Sequence, residues 1–302
     1  MRKETLGAIY VTSAYIIWGV LPLYWNLLKR INSAEILAHR VLWAFLFFLF
    51  VNFLKGNTEQ IKKVLKEKDK LKLIAMSSFL LGFNWFLYVW AVTHGKVIEA
   101  SMGYYINPIF SIILGVFFLK EKLNKLQLFA FFLALTGVFV MIIGYGKVPW
   151  VAIGLMLLFG FYGLTKKVSK IDSLVSLNLE TLFILPFILY LLIIFRVRQM
   201  QATPFNSLYY LLLLIIGGIL TAIPIYLFSA GVKLIKLSYV GFFQYISPSL
   251  NLIVGVFILK ERFGTVHFIS FSFIWVSLIL FIFSNLKKKN QAEIIKEEFF
   301  IE

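Results

Sequence analysis

Few side chains capable of chemistry lie inside the long apolar stretches that dominate this sequence. Arg40 and Glu180 are ionisable and sit about two helical turns inside such stretches. A charge held in hydrocarbon is costly, so each reads as a gating residue at one end of a pathway, with Glu180 also a proton-coupling candidate. The competing reading is that both snorkel to nearby headgroups. His39 titrates nearest neutrality and could serve as a proton-linked switch, although Glu35, four residues earlier, could simply hold it in an interfacial pair.

Neutral polar and aromatic residues form a second group. Asn84 and Tyr88 share a helix face, as do Tyr15 and Trp18, and Ser101 and Tyr105; Asn107 follows, and Gln244 and Tyr245 complete the candidates. Convergence of these faces would give a pocket of amides, hydroxyls and aromatic walls, suited to a neutral or zwitterionic solute with an apolar part. Ordinary hydrogen bonding and packing between helices is the alternative use of the same residues. Pro108 and Pro248 free a backbone carbonyl each and are expected to act as paired bend points.

Other chemistries find no support in the sequence. With no cysteine, thiolate metal sites, disulfides and cysteine nucleophiles are excluded. His94 and His267 stand alone near span ends, so neither a metal site nor a cofactor is expected. No phosphate-binding loop of the Walker type is present, which removes nucleotide-driven pumping. An enzyme acting on lipid or isoprenoid substrates would usually need acidic clusters, and none is visible; a catalytic role is not expected. A channel or a non-transporting structural protein remains the other alternative.

The elements that must position these residues are membrane-spanning helices. Hydrophobic residues make up 61% of the chain, charged residues 15%, and mean hydropathy is +0.89. Apolar blocks cross a hydrocarbon core of roughly 30 Å as helices, because lipid offers the backbone no hydrogen-bond partner. The blocks fall at about 6–28, 36–54, 73–93, 98–119, 126–145, 149–165, 174–195, 208–230, 238–259 and 265–285. Short gaps near Lys96 and Lys147 would also admit nine or eleven spans. The expected fold is an all-α polytopic membrane protein of about ten helices.

Charge orients it. The net charge of +16 comes largely from lysines between spans, in Lys55–Lys72, Lys120–Lys125, Lys166–Lys170 and Lys287–Lys289, with Arg2, Lys3, Lys233, Lys236 and Lys296. Assigned to one side, they form a positive-inside bias that places both termini in the cytoplasm of a bacterial cell (plasma or inner) membrane. The charge is topogenic, so no nucleic-acid partner is expected. The partners are the lipid bilayer, a small-molecule solute, and a proton or counter-substrate. The basic leader Met1-Arg2-Lys3 lacks a small-residue cleavage site, so the first stretch reads as an uncleaved helix.

The chain repeats itself at an offset of 140 residues. Tyr105-Ile106-Asn107-Pro108 falls on Tyr245-Ile246-Ser247-Pro248, Gly115-Val116-Phe117 on Gly255-Val256-Phe257, and Leu119-Lys120-Glu121 on Leu259-Lys260-Glu261. Ile31-Asn32-Ser33 falls on Ile171-Asp172-Ser173, and Arg40 on Glu180. The expected organisation is a first repeat over 1–146, a second over 147–286, and a short charged cytoplasmic tail over 287–302. Five spans per repeat, an odd number, would insert the second half upside down. The loop after the second span carries seven lysines, whereas its counterpart has Arg196 and Arg198. Inverted repeats are an architecture of alternating access, with a site near the midplane.

The two Pro…Gly…Leu-x-Glu segments resemble the end of an EamA domain, the repeat unit of the drug/metabolite transporter superfamily. Ala14–Gly19, Ala38–Trp43, Asn84–Ala91 and Glu99–Pro108 narrow the resemblance to the RarD-like branch. The resemblance implies ten helices around a central cavity and a secondary exporter or exchanger of a metabolite or drug-like solute. It implies no particular substrate. Glu121 and Glu261 match the family pattern, but each follows a lysine at a helix end and is expected to be a structural anchor.

Overall fold

The structure is a computed structural model that describes residues 3–197, 208–258 and 264–298. Expectations for Arg2, Arg198 and Glu261, and for the side chains of Arg196, Lys287–Lys289 and Lys296, fall outside the described residues.

The described residues are almost entirely helical: α1 (Lys3–Leu27), α2 (Ser33–Leu54), α3 (Thr58–Lys66), α4 (Lys68–Thr93), α5 (Val97–Phe117), α6 (Lys125–Tyr145), α7 (Trp150–Val168), α8 (Ser173–Val197), α9 (Leu208–Gly231), α10 (Leu237–Gln244), α11 (Ile246–Ile253) and α12 (Thr265–Glu298). Ten segments are long and apolar enough to cross a membrane, with Leu237–Ile258 forming one span. The short α3 is amphipathic and does not cross. It lays Val64 and Ile61 against Ile171, Val175 and Leu179 while its lysines point outward. Residues near Lys3 and the lysine-bearing turns at Lys55–Lys72, Lys120–Lys125 and Lys233–Lys236 share one end of the bundle, here the terminal face; the opposite end is the distal face.

Local signals repeat with the sequence. Asn32 accepts a hydrogen bond from the Ala34 N–H at the start of α2, and its equivalent Asp172 accepts from Leu174 and Val175 at the start of α8. Such side chains satisfy N–H groups that a helix start leaves without partners. At the end of α6 the left-handed Gly146 (φ 72°) closes the helix.

Packing treats the halves alike. α5 packs on α7 as α10 and α11 pack on α1; α4 packs on α7 as α9 packs on α1; α2 packs on α9 as α8 packs on α4. The pairs α2–α8, α5–α10 and α6–α12 each join a helix to its own equivalent. Exchange of the two halves therefore maps these helix pairs onto one another.

The proline pair does not behave alike. Pro108 lies inside a continuous α5. Before Pro248 the span breaks at Tyr245, and Val254–Ile258 then runs as a π-helical turn. Both prolines withhold one N–H from the helical ladder, but the backbone yields in the second half.

The Glu121 anchor has a clear partner. Its carboxylate accepts the Leu237 and Ser238 N–H groups, each at 2.8 Å, and the Ser238 hydroxyl at 2.6 Å. A carboxylate at the start of α10 satisfies free N–H groups and faces the positive end of the helix dipole. A Cβ on Gly115 would stand 2.6 Å from Glu121 Oε2 and 2.7 Å from the Ser238 nitrogen, so glycine is what admits this contact. The repeated Gly…Leu-x-Glu segment thus has, in its first copy, a structural role.

Candidate functional site

A cavity of about 380 Å³ lies between the two halves and runs from mid-bundle toward the distal face. Six spans build it: α1, α2, α4, α5, α7 and α9, together with the broken ninth span. Equivalent positions of the two repeats face it together, Tyr104 with Gln244, Asn107 with Ser247, Trp85 with Ile225, and Tyr15 with Leu155.

Its polar side is an amide cluster. The Asn107 amide donates to Gln244 Oε1 at 3.3 Å, and the Ser111 hydroxyl donates to the same oxygen at 3.3 Å, linking α5 to α10. The Asn84 amide donates to the Leu155 carbonyl at 3.2 Å. Among the described residues, Asn107 Oδ1 and Asn251 Oδ1 are buried acceptors with no donor from the protein. Buried acceptors of that kind are commonly matched by water or a ligand.

Its charged side is Arg40. The Arg40 Nε donates to Thr221 Oγ1 at 2.9 Å, and the guanidinium carbon lies 4.5 Å from the centre of the Trp25 ring. Lys29 stands exposed at the mouth. No acidic side chain lines the cavity among the described residues.

The floor is aromatic. Tyr15 and Trp18 lie with ring centres 5.3 Å apart, and Trp18 meets Phe159 at 6.0 Å and Phe228 at 5.9 Å. Phe228 and Phe159 then continue to Tyr162 at 6.3 and 5.8 Å. Beyond this plug, toward the terminal face, the Tyr162 hydroxyl donates to Glu180 Oε2 at 3.1 Å. Glu180 Oε1 accepts from Lys166 Nζ at 2.7 Å and from the Ser176 hydroxyl at 2.6 Å. Both charged side chains have 0% exposure. Lys167 donates to the Lys233 and Ile235 carbonyls, and Lys233 donates to the Ile171 carbonyl, tying α7 and the α7–α8 turn to the α9–α10 turn. At this end α1 and α9 also cross closely: a Cβ on Gly231 would come within 2.9 Å of the Gly7 carbonyl oxygen.

Of the residues singled out from the sequence, Tyr15, Trp18, Asn84, Tyr88, Asn107, Gln244, Arg40 and Pro248 line the cavity. Ser101 is exposed on another face of α5, and Tyr105 packs on Phe271 with ring centres 5.2 Å apart. The cavity face of α5 is instead Ala100, Gly103, Tyr104 and Asn107, one residue round the helix from the Ser101/Tyr105 pair. Tyr245 is fully buried among Ile109, Ala134, Val138 and Ile274, away from the cavity. His39 and Glu35 are both buried in α2 and neither lines the cavity. Glu180 lies beyond the plug, and Pro108 is buried inside α5. Lys166, grouped by sequence with the topogenic loop charges, instead belongs to α7 and is wholly buried against Glu180. Trp25, Trp85, Tyr104, Thr221, Ser247 and Asn251 line the cavity without having been singled out. For α5 the signal existed, a small-residue stripe at Ala100, Gly103, Asn107 and Ser111 with helical spacing.

Comparison with known proteins fits this geometry. The EamA-like transporter family profile matches residues 5–143 and again residues 147–283. The chain belongs to the EamA-like transporter family. Among relatives of this EamA-like protein, the Bacillus subtilis uncharacterized transporter YojE is 42% identical, over 95% of this chain and 97% of the relative. The Escherichia coli protein RarD is 36% identical, over 93% and 95%. The Pseudomonas aeruginosa chloramphenicol-sensitive protein RarD is 26% identical, over 93% and 94%. A crystal structure of a protein with 15% identity superposes with a TM-score of 0.73, over 92% of this chain and 97% of the other, so the fold is shared. The EamA-like chain is therefore an integral membrane transporter.

Proposed function

We propose that this EamA-like transporter is a secondary exporter or exchanger that moves a small solute by alternating access between two inverted five-helix repeats. The observation that carries the reading is a cavity whose lining, among the described residues, runs from Lys29 and Ser33 at the distal end down to the Tyr15–Trp18–Phe159–Phe228 plug. Exchange-symmetric packing supports it: if one arrangement of the halves opens the distal end, the exchanged arrangement opens the other. The terminal face carries most of the described lysines, and by the positive-inside rule this supports a cytoplasmic terminal face and an outward-open conformation. Substrate movement then requires the plug and the α7–α9 ties to part while the distal ends close.

Counterflow in proteoliposomes tests the reading. Vesicles preloaded with amino acids, amino-acid-like metabolites or chloramphenicol are offered trace labelled solute. Saturable accumulation that falls in Asn84→Ala and Gln244→Ala is expected; leakage without counterflow would point to a channel. Sidedness has its own test, because the chain lacks cysteine. Ser33→Cys at the mouth should react with an impermeant maleimide added to intact cells, and Asn57→Cys on the terminal face should not.

A further inference from the structure

Arg40 is a charge without a counter-charge. Among the described residues it meets the Thr221 hydroxyl, through Nε, and the Trp25 ring, and no carboxylate bonds to it. That contact leaves the outer edge of the guanidinium, its two terminal nitrogens, without a protein acceptor. Tyr88 and Tyr104 stand within electrostatic range and face the same cavity. Their hydroxyls are donors toward an anion as well. The contrast with Lys166 is informative, since there the protein supplies its own carboxylate at 2.7 Å. A guanidinium kept in a low-dielectric cavity attracts an anion far more strongly than one in water, and its planar fork matches a carboxylate bidentately. Elsewhere in the cavity, Asn107 Oδ1 and Asn251 Oδ1 wait for donors.

We infer that the transported solute is an organic carboxylate that docks its carboxylate on Arg40, offers an N–H group to the amide oxygens, and rests its apolar part on the aromatic wall. Amino acids and their N-acyl or aromatic relatives have this chemistry. Arg40 is thus a specificity-determining residue, and the inference rests on the carrier reading above while naming its substrate class. An uncharged isostere loses the fork contact and leaves the cation unmatched, so selection against it should be strong.

Equilibrium binding to the purified full-length protein tests this without transport. Tryptophan emission is a direct readout, because Trp18, Trp25 and Trp85 line the cavity. The probes are matched pairs: phenylalanine and phenylalaninamide, leucine and leucinamide, indole-3-acetate and indole-3-acetamide. Saturable quenching by at least one carboxylate, at least tenfold tighter than by its amide, is the expected result. Arg40→Gln should abolish the preference, and Arg40→Lys, which keeps the charge but not the fork, should retain part of it. Equal affinity for both members of every pair, absence of binding by all three carboxylates, or a preference that survives in folded Arg40→Gln would overturn the inference. Counterflow of a neutral solute without carboxylate preference would leave the carrier reading standing and remove this one. Carboxylate preference without counterflow would do the reverse.

Discussion

Arg40 and Glu180 occupy the same position in the two repeats, and their surroundings could hardly differ more. Arg40 opens onto the cavity with a hydroxyl and an indole for company. Glu180 is enclosed by Lys166, Ser176 and Tyr162, beyond the aromatic plug. Equivalence of sequence position has given each half an ionisable group in its second span, and the protein has neutralised one and left the other without a counter-charge among the described residues. The Glu180 end is a self-satisfied network; at the Arg40 end the protein leaves acceptors such as Asn107 Oδ1 and Asn251 Oδ1 unmatched, which is what the proposed solute would complete. If the proposed alternating access holds, this asymmetry predicts unequal solute binding at the two ends.

The largest expected effect falls on the closed end. Lys166→Met strands a buried carboxylate and should lower the unfolding free energy by about 3–5 kcal/mol. Lys166→Met with Glu180→Leu should recover most of that loss, since the cost lies in the uncompensated charge. Unfolding of the purified protein in mixed micelles measures both, and failure of the double variant to recover would place the stabilisation elsewhere.

Next comes the anchor at the start of α10. Glu121→Gln removes a charge that accepts three hydrogen bonds and should cost about 1–3 kcal/mol by the same assay. A smaller stability effect is expected at the open end, where Arg40→Gln loses one bond to Thr221 and should stay within about 1 kcal/mol. A large destabilisation there would mean that Arg40 is structural, and the contrast with Glu180 would collapse.

The smallest effect is a pH dependence of the closed end. Burial, and then the neighbouring Lys166 charge, push the Lys233 ammonium down from 10.5 to about 8, against the opposing pull of Asp172 and Glu180. A lowered folded value means the charged form costs stability, fully below pH 8, and the cost fades between about 8 and the unfolded value near 10.5. The melting temperature of wild type should therefore gain slightly, relative to Lys233→Met, between pH 7.5 and 9.5. An identical pH profile in the two proteins would argue that Lys233 is not held in its desolvated place.

Much of the architecture was legible because lipid imposes it. Each crossing helix must be a long apolar block, so hydropathy located ten spans, and the register of proline, glycine and Lys-Glu at offset 140 located the repeat. Legibility weakened where a helix face had to be chosen. A crossing helix buries several faces against neighbours, so the pattern that marks one face of a surface helix is absent, and the Ser101/Tyr105 face could not be told from Ala100/Tyr104. Lys166 was unreadable for a related reason. One residue past an apolar block looks like a loop charge, and only the approach of α8 supplied Glu180 as its partner.

Sequence alone was enough for an all-helical membrane protein of about ten spans with an internal repeat, because span length, composition and repeat register are properties of the chain alone; membership of a transporter family rests on the comparison with relatives. Which polar groups meet was left to packing. Pro108 and Pro248 share a motif, yet one helix runs on and the other breaks; Arg40 and Glu180 share a register, yet one faces a cavity and the other a lysine. Those outcomes depend on which neighbours fill or leave the space beside each residue, and that is settled by packing between distant helices.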